Sequence, residues 1–386
     1  MSGHIQKRGP NTWRIFLEGG FDEGGKRKRT TVTIRGRKAD ATAELARMEH
    51  ELNTGSFVEP SKMTVREYLE YWLKESASRT VAPKTLQTYT QIVRTDLSPN
   101  LGHILLPKLK PLQIQMYYNQ AVESGRKNGK GGLSPQTVLH HHRVLHKALK
   151  QAMMWQLLAA NPADRVQAPR PRPQEMHALD EDQSLRLLKE TEGTRLYVPV
   201  MIALFTGMRR GEVLALRWSD LDLDKQTLTV SRSLEQTKAG GLRFKEPKTG
   251  KVRTIALPGL AVAALRKHRT EQARHRLSLG AAYTDNDLIV CAPDGQPAKP
   301  DTLTSDFSQF RDRHGFAVRF HDLRHSHASQ LLRQGVPLQV VSQRLGHAKV
   351  SITLDVYAHL LPGMQEGAVQ SMDAAFEKAA ERASEV

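Results

Sequence analysis

Residues 320–360 read FHDLRHSHASQLLRQGVPLQVVSQRLGHAKVSITLDVYAHL, and the organisation of the chain follows from them. His321 and Arg324 stand three residues apart, a spacing that puts both side chains on one helix face, where they can meet one anion. Leu323, Leu331, Leu332, Val336, Val340, Val341 and Leu345 fit two short packed helices with a break at Gly335 and Pro337. Gly346 then takes the C-terminal cap, and His347 lies just beyond it. Thr353 is placed to cap a third helix that carries Tyr357. One short region thus gathers an Arg, two His and a Tyr, a set suited to gripping a phosphate beside a phenol.

Each of these residues has a plainer reading by itself. A Tyr on a half-apolar helix is usually a core residue with its hydroxyl at the rim. A His at a helix end is usually a cap or a surface residue. His321 and His325 are also four apart, the spacing of a helical metal pair. No Glu follows His321 and no Cys lies nearby, so no metal site is expected there.

Two upstream stretches complete the set. Residues 204–220, LFTGMRRGEVLALRWSD, read as helix, Gly turn and helix, with Arg209 in the turn and able to reach into a cleft. Residues 245–257, KEPKTGKVRTIAL, read as a hairpin tip with Lys248 on its rim. Asp220, Asp222 and Asp224 are a tempting acidic site, but their alternation with Leu reads as the solvent face of a strand entering the hairpin at residues 227–230.

Taken in order, TGMRRGEVLALRW, PKTGKVRTI, HDLRH, LGH and TLDVYAHL resemble the tyrosine recombinase (phage integrase) family. By that resemblance Arg209 is the first catalytic Arg, Lys248 the hairpin Lys, and His321 and Arg324 the His-x-x-Arg pair. His347 is the second His and Tyr357 the nucleophile. All six positions carry the expected residue type. The chemistry agrees. Two Arg can each offer two N–H donors to an anionic pentavalent phosphorus. A phenol needs a base and a cationic field to attack at neutral pH. Lys248 suits proton donation to the leaving 5′-oxygen, and the two His suit phosphate binding and proton shuttling. No metal or other cofactor is required.

The rest of the chain is read from its start. With 386 residues it should hold two or three domains. A net charge of +17 points to a polyanionic partner. No amphipathic basic helix or long apolar run supports a membrane. A single Cys, Cys291, rules out a disulfide framework and fits a reducing bacterial cytoplasm. No signal peptide is evident, so Met1 is expected to begin the folded protein or a short tail.

Residues 1–60 look like a small α+β unit: strands at 12–18 and 30–34, a turn at 19–29, and a helix with Ala41, Leu45, Met48 and Leu52 on one side. Lys26, Arg27, Lys28, Arg29, Arg35, Arg37 and Lys38 form a run free of acids. They make either a solvated turn or a DNA-facing sheet, and the unit resembles the arm-type DNA-binding domain of phage and conjugative-transposon integrases. Residues 61–168 read as helical. A capping box at Thr64 and Glu67 opens a helix with Val65, Leu69, Trp72 and Leu73 inward. Ser134-Pro135 starts another, with Val138, Leu145, Leu149 and Met153 as its buried face. His140, His141, His142, Arg143, Lys147 and Lys150 are expected in solvent or near phosphates, and 125–132 is a basic loop. The arrangement resembles the family's core-binding domain.

The expected fold is therefore multidomain: a small α+β arm-binding domain at 1–60 and an all-α core-binding domain at 61–168. A linker at 169–174 leads to a mainly helical α+β catalytic domain with a small antiparallel sheet at 175–362, and a tail helix follows at 363–386. The tail pattern rests on Val369, Met372, Phe376, Ala379 and Ala383. The resemblance implies a site-specific recombinase that integrates and excises a prophage or mobile element. It would act as a homotetramer on double-stranded core and arm DNA, with a directionality factor or host DNA-bending protein as further partners. Arg210, beside Arg209, reads as a backbone-phosphate or surface residue. The rivals are a resolvase or chromosome-dimer recombinase of the same family, a non-catalytic DNA-binding regulator, and a metal-dependent nuclease.

Overall fold

Alternating apolar residues near the N-terminus ask for a sheet that covers one helix, and the computed structural model has one. It describes residues 3–21, 27–53, 61–126, 128–129, 131–172, 177–248 and 250–358, with scattered positions between 369 and 382. The chain divides into two compact units, Met1–Pro173 and Gln174–Val386.

In the first unit, β1 (Gly3–Gly9), β2 (Thr12–Phe21) and β3 (Arg27–Arg35) form an antiparallel meander. Register sets Ile5, Ile15 and Val32 side by side. With Leu17 and Ile34 they cover Leu45, Met48 and Leu52 of α1 (Lys38–Asn53). The sequence reading lacked β1, whose GHIQKRG carries one apolar residue and no clear alternation; pairing with β2 makes it a strand.

Next come helices α2 (Val65–Trp72), α3 (Ser78–Thr80), α4 (Pro83–Ile92), α5 (Ser98–Leu101), α6 (Pro111–Ser124) and α7 (Pro135–Met154). The Thr64–Glu67 capping box forms as expected, and Val65, Leu69, Trp72 and Leu73 are buried. Two expectations on α7 fail. Met153 is exposed, while His141 lies on the buried face instead of in solvent. His141 Nδ1 is 2.8 Å from the Tyr117 hydroxyl, and His142 Nδ1 is 3.1 Å from that of Tyr118. Polar partners inside the core let imidazoles sit where the helical period alone calls for apolar residues.

The second unit begins with α8 (Glu181–Thr191), α9 (Tyr197–Thr206) and α10 (Arg210–Val213). β4 (Leu221–Asp222), β5 (Thr227–Val230) and β8 (Arg253–Ala256) make one antiparallel sheet, and β6 (Ser233–Thr237) pairs with β7 (Gly241–Lys245) in a separate hairpin. Lys248 is therefore not at a hairpin tip. It stands in a turn, closed by Gly250 N–H donating to Pro247 O at 2.8 Å, that carries the chain from one sheet to the other. The acidic alternation resolves into a two-residue strand and three ion pairs: Asp220 with Arg217, Asp222 with Lys225 and, from the helix that follows β8, Arg266 with Asp224.

Helices α11 (Gly259–Leu279) and α12 (Pro300–His314) precede the organising stretch, which folds as α13 (Asp322–Arg333), α14 (Leu338–Leu345) and α15 (Val350–Tyr357). The break at Gly335 and Pro337 and the cap at Gly346 stand where expected. Val340 is exposed, not packed. Lys349, not Thr353, caps α15, and Thr353 is fully buried in its middle. In the tail, Val369, Met372 and Phe376 are helical and exposed, while Ala379 and Ala383 lie outside the described residues.

Candidate active site

The site is assembled from α9 outward. That helix is buried along nearly its whole length, so it is a fixed frame. Gly207 closes it at φ 65°, and a Cβ there would meet Leu345 Cδ2 at 2.6 Å and His327 Cδ2 at 2.8 Å. Glycine thus serves both the left-handed cap and the close approach of α13 and α14.

Arg209 follows at the N-cap of α10, one helical turn before Glu212. Glu212 Oε2 accepts from the Arg209 N–H at 3.0 Å and Oε1 accepts from Arg209 Nη1 at 2.9 Å. Arg253, the first residue of β8, donates from Nη2 to Glu212 Oε2 at 2.7 Å. Burial pushes the Glu212 carboxyl up, but Arg253 and then Arg209 outweigh it and hold the group below the usual carboxylate range. Arg209 Nη2 also donates to Gly346 O at 3.3 Å, and Arg253 Nε to Arg344 O at 2.8 Å. One buried carboxylate therefore orients two guanidinium groups against the turn that ends α14.

Arg324, in the first turn of α13, is buried and donates from Nη1 to Gly207 O at 2.7 Å. Its Nη2 and Arg253 Nη1 are both buried with no acceptor. A buried donor left unpaired costs roughly 1–3 kcal/mol. Two of them in one cluster mark the place where the oxygens of an anion would complete the bonding. Burial and then neighbouring Arg209 draw Arg324 down to about 9, which leaves it charged at neutral pH.

Around these cations stand three imidazoles. His321, just before α13, keeps an edge open to solvent. Burial, followed by His325 and Arg324, lowers it to about 4. His347 Nδ1 lies 2.7 Å from Thr353 Oγ1, and burial, then Arg324 and Arg209, lower it to about 4. His325 Nδ1 lies 2.7 Å from the Tyr357 hydroxyl. Tyr357 is only 1 % exposed, its ring packed with Ala328, Leu332, Val341 and Leu345. Burial pushes its phenol up to about 12 despite the opposing pull of Arg324.

The structure thus brings Arg209, His321, Arg324, His347 and Tyr357 together. Lys248 is exposed in its turn, five residues before Arg253. Arg210 points elsewhere: its Nη1 donates to Pro300 O at 2.9 Å and to the Thr304 hydroxyl, beside Asp301. Among the basic residues of the first unit, Arg29 and Arg35 share the sheet face opposite α1, and Arg29 lies 4.3 Å over the Phe16 ring. Arg37 faces Asp40 at 3.9 Å and Lys38 opens α1. Arg143 and Lys147 are exposed on α7. Lys26 and the side chains of Arg27 and Lys28 lie outside the described residues. Sequence reasoning missed Glu212, Arg253 and His325. The i, i+3 spacing of Arg209 and Glu212 was the available signal for the first; nothing local marked Arg253.

Residues 177–363 match the phage integrase family, and residues 64–121 match the phage integrase N-terminal SAM-like domain; together they span well over half the chain. The chain belongs to the tyrosine recombinase (phage integrase) family. This recombinase is 28% identical to a tyrosine recombinase XerC-like protein of Caldanaerobacter subterraneus subsp. tengcongensis, over 96% of the chain and 98% of that protein. It is 28% identical to an integrase of Streptomyces ambofaciens, over 95% of the chain and 94% of the relative. The Tn1549 transposon integrase in complex with transposon right end DNA shares the fold at TM-score 0.68 and 20% identity, covering 81% of the recombinase and 100% of that chain. A lambda integrase tetramer bound to a Holliday junction gives TM-score 0.55 at 18% identity, over 89% and 95% of the two chains. By family the protein is a tyrosine-type site-specific DNA recombinase. No helix among its described residues is long and apolar enough to cross a membrane.

Proposed function

We propose that this recombinase is the integrase of a prophage or integrative element. It cuts each DNA strand through a 3′-phosphotyrosyl link at Tyr357, exchanges 5′-hydroxyl ends and passes through a Holliday junction. The observation that carries this reading is the meeting of Arg209, Arg324, His347 and Tyr357 around two buried guanidinium nitrogens that have no acceptor. A scissile phosphate supplies the missing oxygens. Arg209 and Arg324 hold its non-bridging oxygens as charge develops. His321 and His347, neutral at pH 7, bond the phosphate and pass protons. Lys248, exposed in its turn, reaches in as general acid for the departing 5′-oxygen.

In this reading residues 61–168 bind core DNA and residues 1–60 bind arm sites through the sheet face bearing Arg29 and Arg35. The three-stranded sheet unit ahead of residue 61, which resembles the arm-type domain of integrases, supports an integrase over a resolvase or chromosome-dimer recombinase. The lambda tetramer on a Holliday junction supports four copies around two DNA duplexes; the scheme has them act in the cytoplasm of a bacterial host. A directionality factor or host DNA-bending protein fits the same scheme.

The test is covalent adduct formation on nicked duplexes from a random-sequence library. Wild type should form an adduct and retain it in EDTA, which a metal-dependent nuclease does not. Tyr357→Phe should bind the selected duplex and form none. Arg209→Ala and Arg324→Ala should each cost about 10²–10³-fold in rate. An adduct mapping to Tyr197 or Tyr283 would overturn the assignment.

A further inference from the structure

We propose that His325 is the base for Tyr357: its Nδ1 holds the phenol at rest and takes the proton as the oxygen attacks phosphorus. This rests on Tyr357 being the nucleophile. Tyr357 Oη and His325 Nδ1 are 2.7 Å apart, and the two rings are tilted by 52° with centroids 5.7 Å apart. Geometry of this kind is what proton abstraction needs first. With Nε2 carrying the ring proton, Nδ1 is bare and the phenol donates to it.

The other imidazoles are placed differently. His347 Nδ1 is committed to Thr353 Oγ1 at 2.7 Å. His321 stands edge-on to His325 at 5.5 Å, and the hydroxyl of Tyr357 bonds to His325 instead. Apolar packing by Ala328, Leu332, Val341 and Leu345 surrounds the phenol ring, so water does not compete for its hydroxyl.

The electrostatic surroundings suit a base. His325 is faced by Asp322, Arg324, Arg319 and His321 from its own helix and the turn before it, and by His347 and Tyr357 from the end of α14 and from α15. Burial lowers it, Asp322 raises it, and Arg324 and Arg319 lower it again, leaving the ring neutral at pH 7. Asp322 is near enough to stabilise the imidazolium once the proton arrives. A phenol held at about 12 is hardly ionised on its own, so it gains from an acceptor already in contact.

The step balances. The Tyr357 O–H bond breaks and its proton goes to His325 Nδ1, while the oxygen's electron pair forms the new P–O bond. The P–O5′ bond breaks, and the 5′-oxygen leaves with a proton from Lys248. In religation the 5′-hydroxyl gives that proton back to Lys248 and attacks phosphorus. The P–O bond to Tyr357 breaks, and the phenolate recovers its proton from His325.

A residue that merely packs against Tyr357 would slow cleavage without changing its pH dependence, and that difference is the test. Adduct formation is followed under single turnover, on the nicked duplex that wild type selects from a random-sequence library. His325→Ala should be slowed by about 10²-fold or more. Its rate should climb about tenfold per pH unit between pH 7 and 9, as expected when the phenol must ionise unaided, while wild type stays level. Added imidazole should restore much of the rate of His325→Ala and leave wild type unchanged. His325→Gln, which can bond the phenol but cannot take its proton, should bind the duplex normally and show the same loss and the same slope. It carries the test if the Ala variant does not fold. A rate near wild type in either variant, or a slow rate with the wild-type pH profile and no response to imidazole, overturns the base. An adduct in Tyr357→Phe overturns the nucleophile instead, so the two failures are distinct.

Discussion

Glu212 Oε1 and Oε2 accept from Arg209 Nη1 at 2.9 Å and from Arg253 Nη2 at 2.7 Å, so a single carboxylate spans two guanidinium groups that arrive from α10 and β8. Neither Arg has a comparably buried acidic partner elsewhere among the described residues.

Removing that carboxylate should therefore damage alignment and stability together. Glu212→Ala is expected to cost up to roughly 3–5 kcal/mol, because it removes the buried counter-charge of two half-buried guanidinium groups. Glu212→Gln keeps the shape and should cost less, yet still lower adduct formation at least about tenfold through loss of Arg209 alignment. Urea unfolding and single-turnover cleavage measure the two effects. Unchanged cleavage in a folded Gln variant would show that the bridge is purely structural.

His327 suggests a pH dependence of folding. The ring is buried, with Nδ1–H donating to Leu204 O at 2.8 Å and Nε2 accepting from Arg344 Nε at 3.5 Å. Burial first, and then the Arg344 charge, lower it to about 3, while His321 and His347 lie at about 4. Each folded value is below the unfolded one near 6.5, so the unfolded chain takes up protons first. Stability should fall as pH drops from about 6.5 toward 4 and level off below the folded values. Urea midpoints at pH 7.5 and pH 5 test this, and His327→Gln should flatten part of the slope. A midpoint independent of pH across that interval would contradict it.

The sheet unit offers a separable function. Its small core of Ile15, Leu17 and Met48 is built from residues before position 54. A fragment starting at Ser61 should still form an adduct on core duplexes but lose footprints on a second class of site. Footprinting of both proteins on the same element-end DNA reads the difference. Full recombination by the fragment on arm-containing DNA would show residues 1–60 to be dispensable.

The tail should matter for assembly. Val369, Met372 and Phe376 are helical and exposed, and residues 363–386 hold five acids against two bases, opposite in sign to the chain as a whole. A chain ending at residue 362 is expected to bind one core site normally and to assemble poorly. Light scattering of the DNA complexes, with circular dichroism as a folding check, decides it. Normal assembly by the shortened protein would rule out a role for the tail in assembly, and its failure to fold would assign the tail to the packing of its own unit instead.

What the sequence determined by itself is local. The Thr64–Glu67 capping box, the Gly346 cap, the break at Gly335 and the Ser134-Pro135 helix start all depend on residues within a turn of one another. The His-x-x-Arg spacing and the order of the family-like motifs are properties of the chain alone, and they named five residues that the fold brings together. Tertiary structure decided everything that needed a distant partner. Glu212 meets Arg253 across 41 positions, and His325 meets Tyr357 across 32. The polar Gly3–Gly9 segment becomes a strand only because β2 pairs with it, and His141 is buried only because Tyr117 is there to bond it. Thr353 reads as a cap from its neighbours, yet it lies mid-helix with its hydroxyl on His347. Periodicity and capping act over three or four residues, whereas a buried charge or imidazole is stable only if the fold delivers its partner.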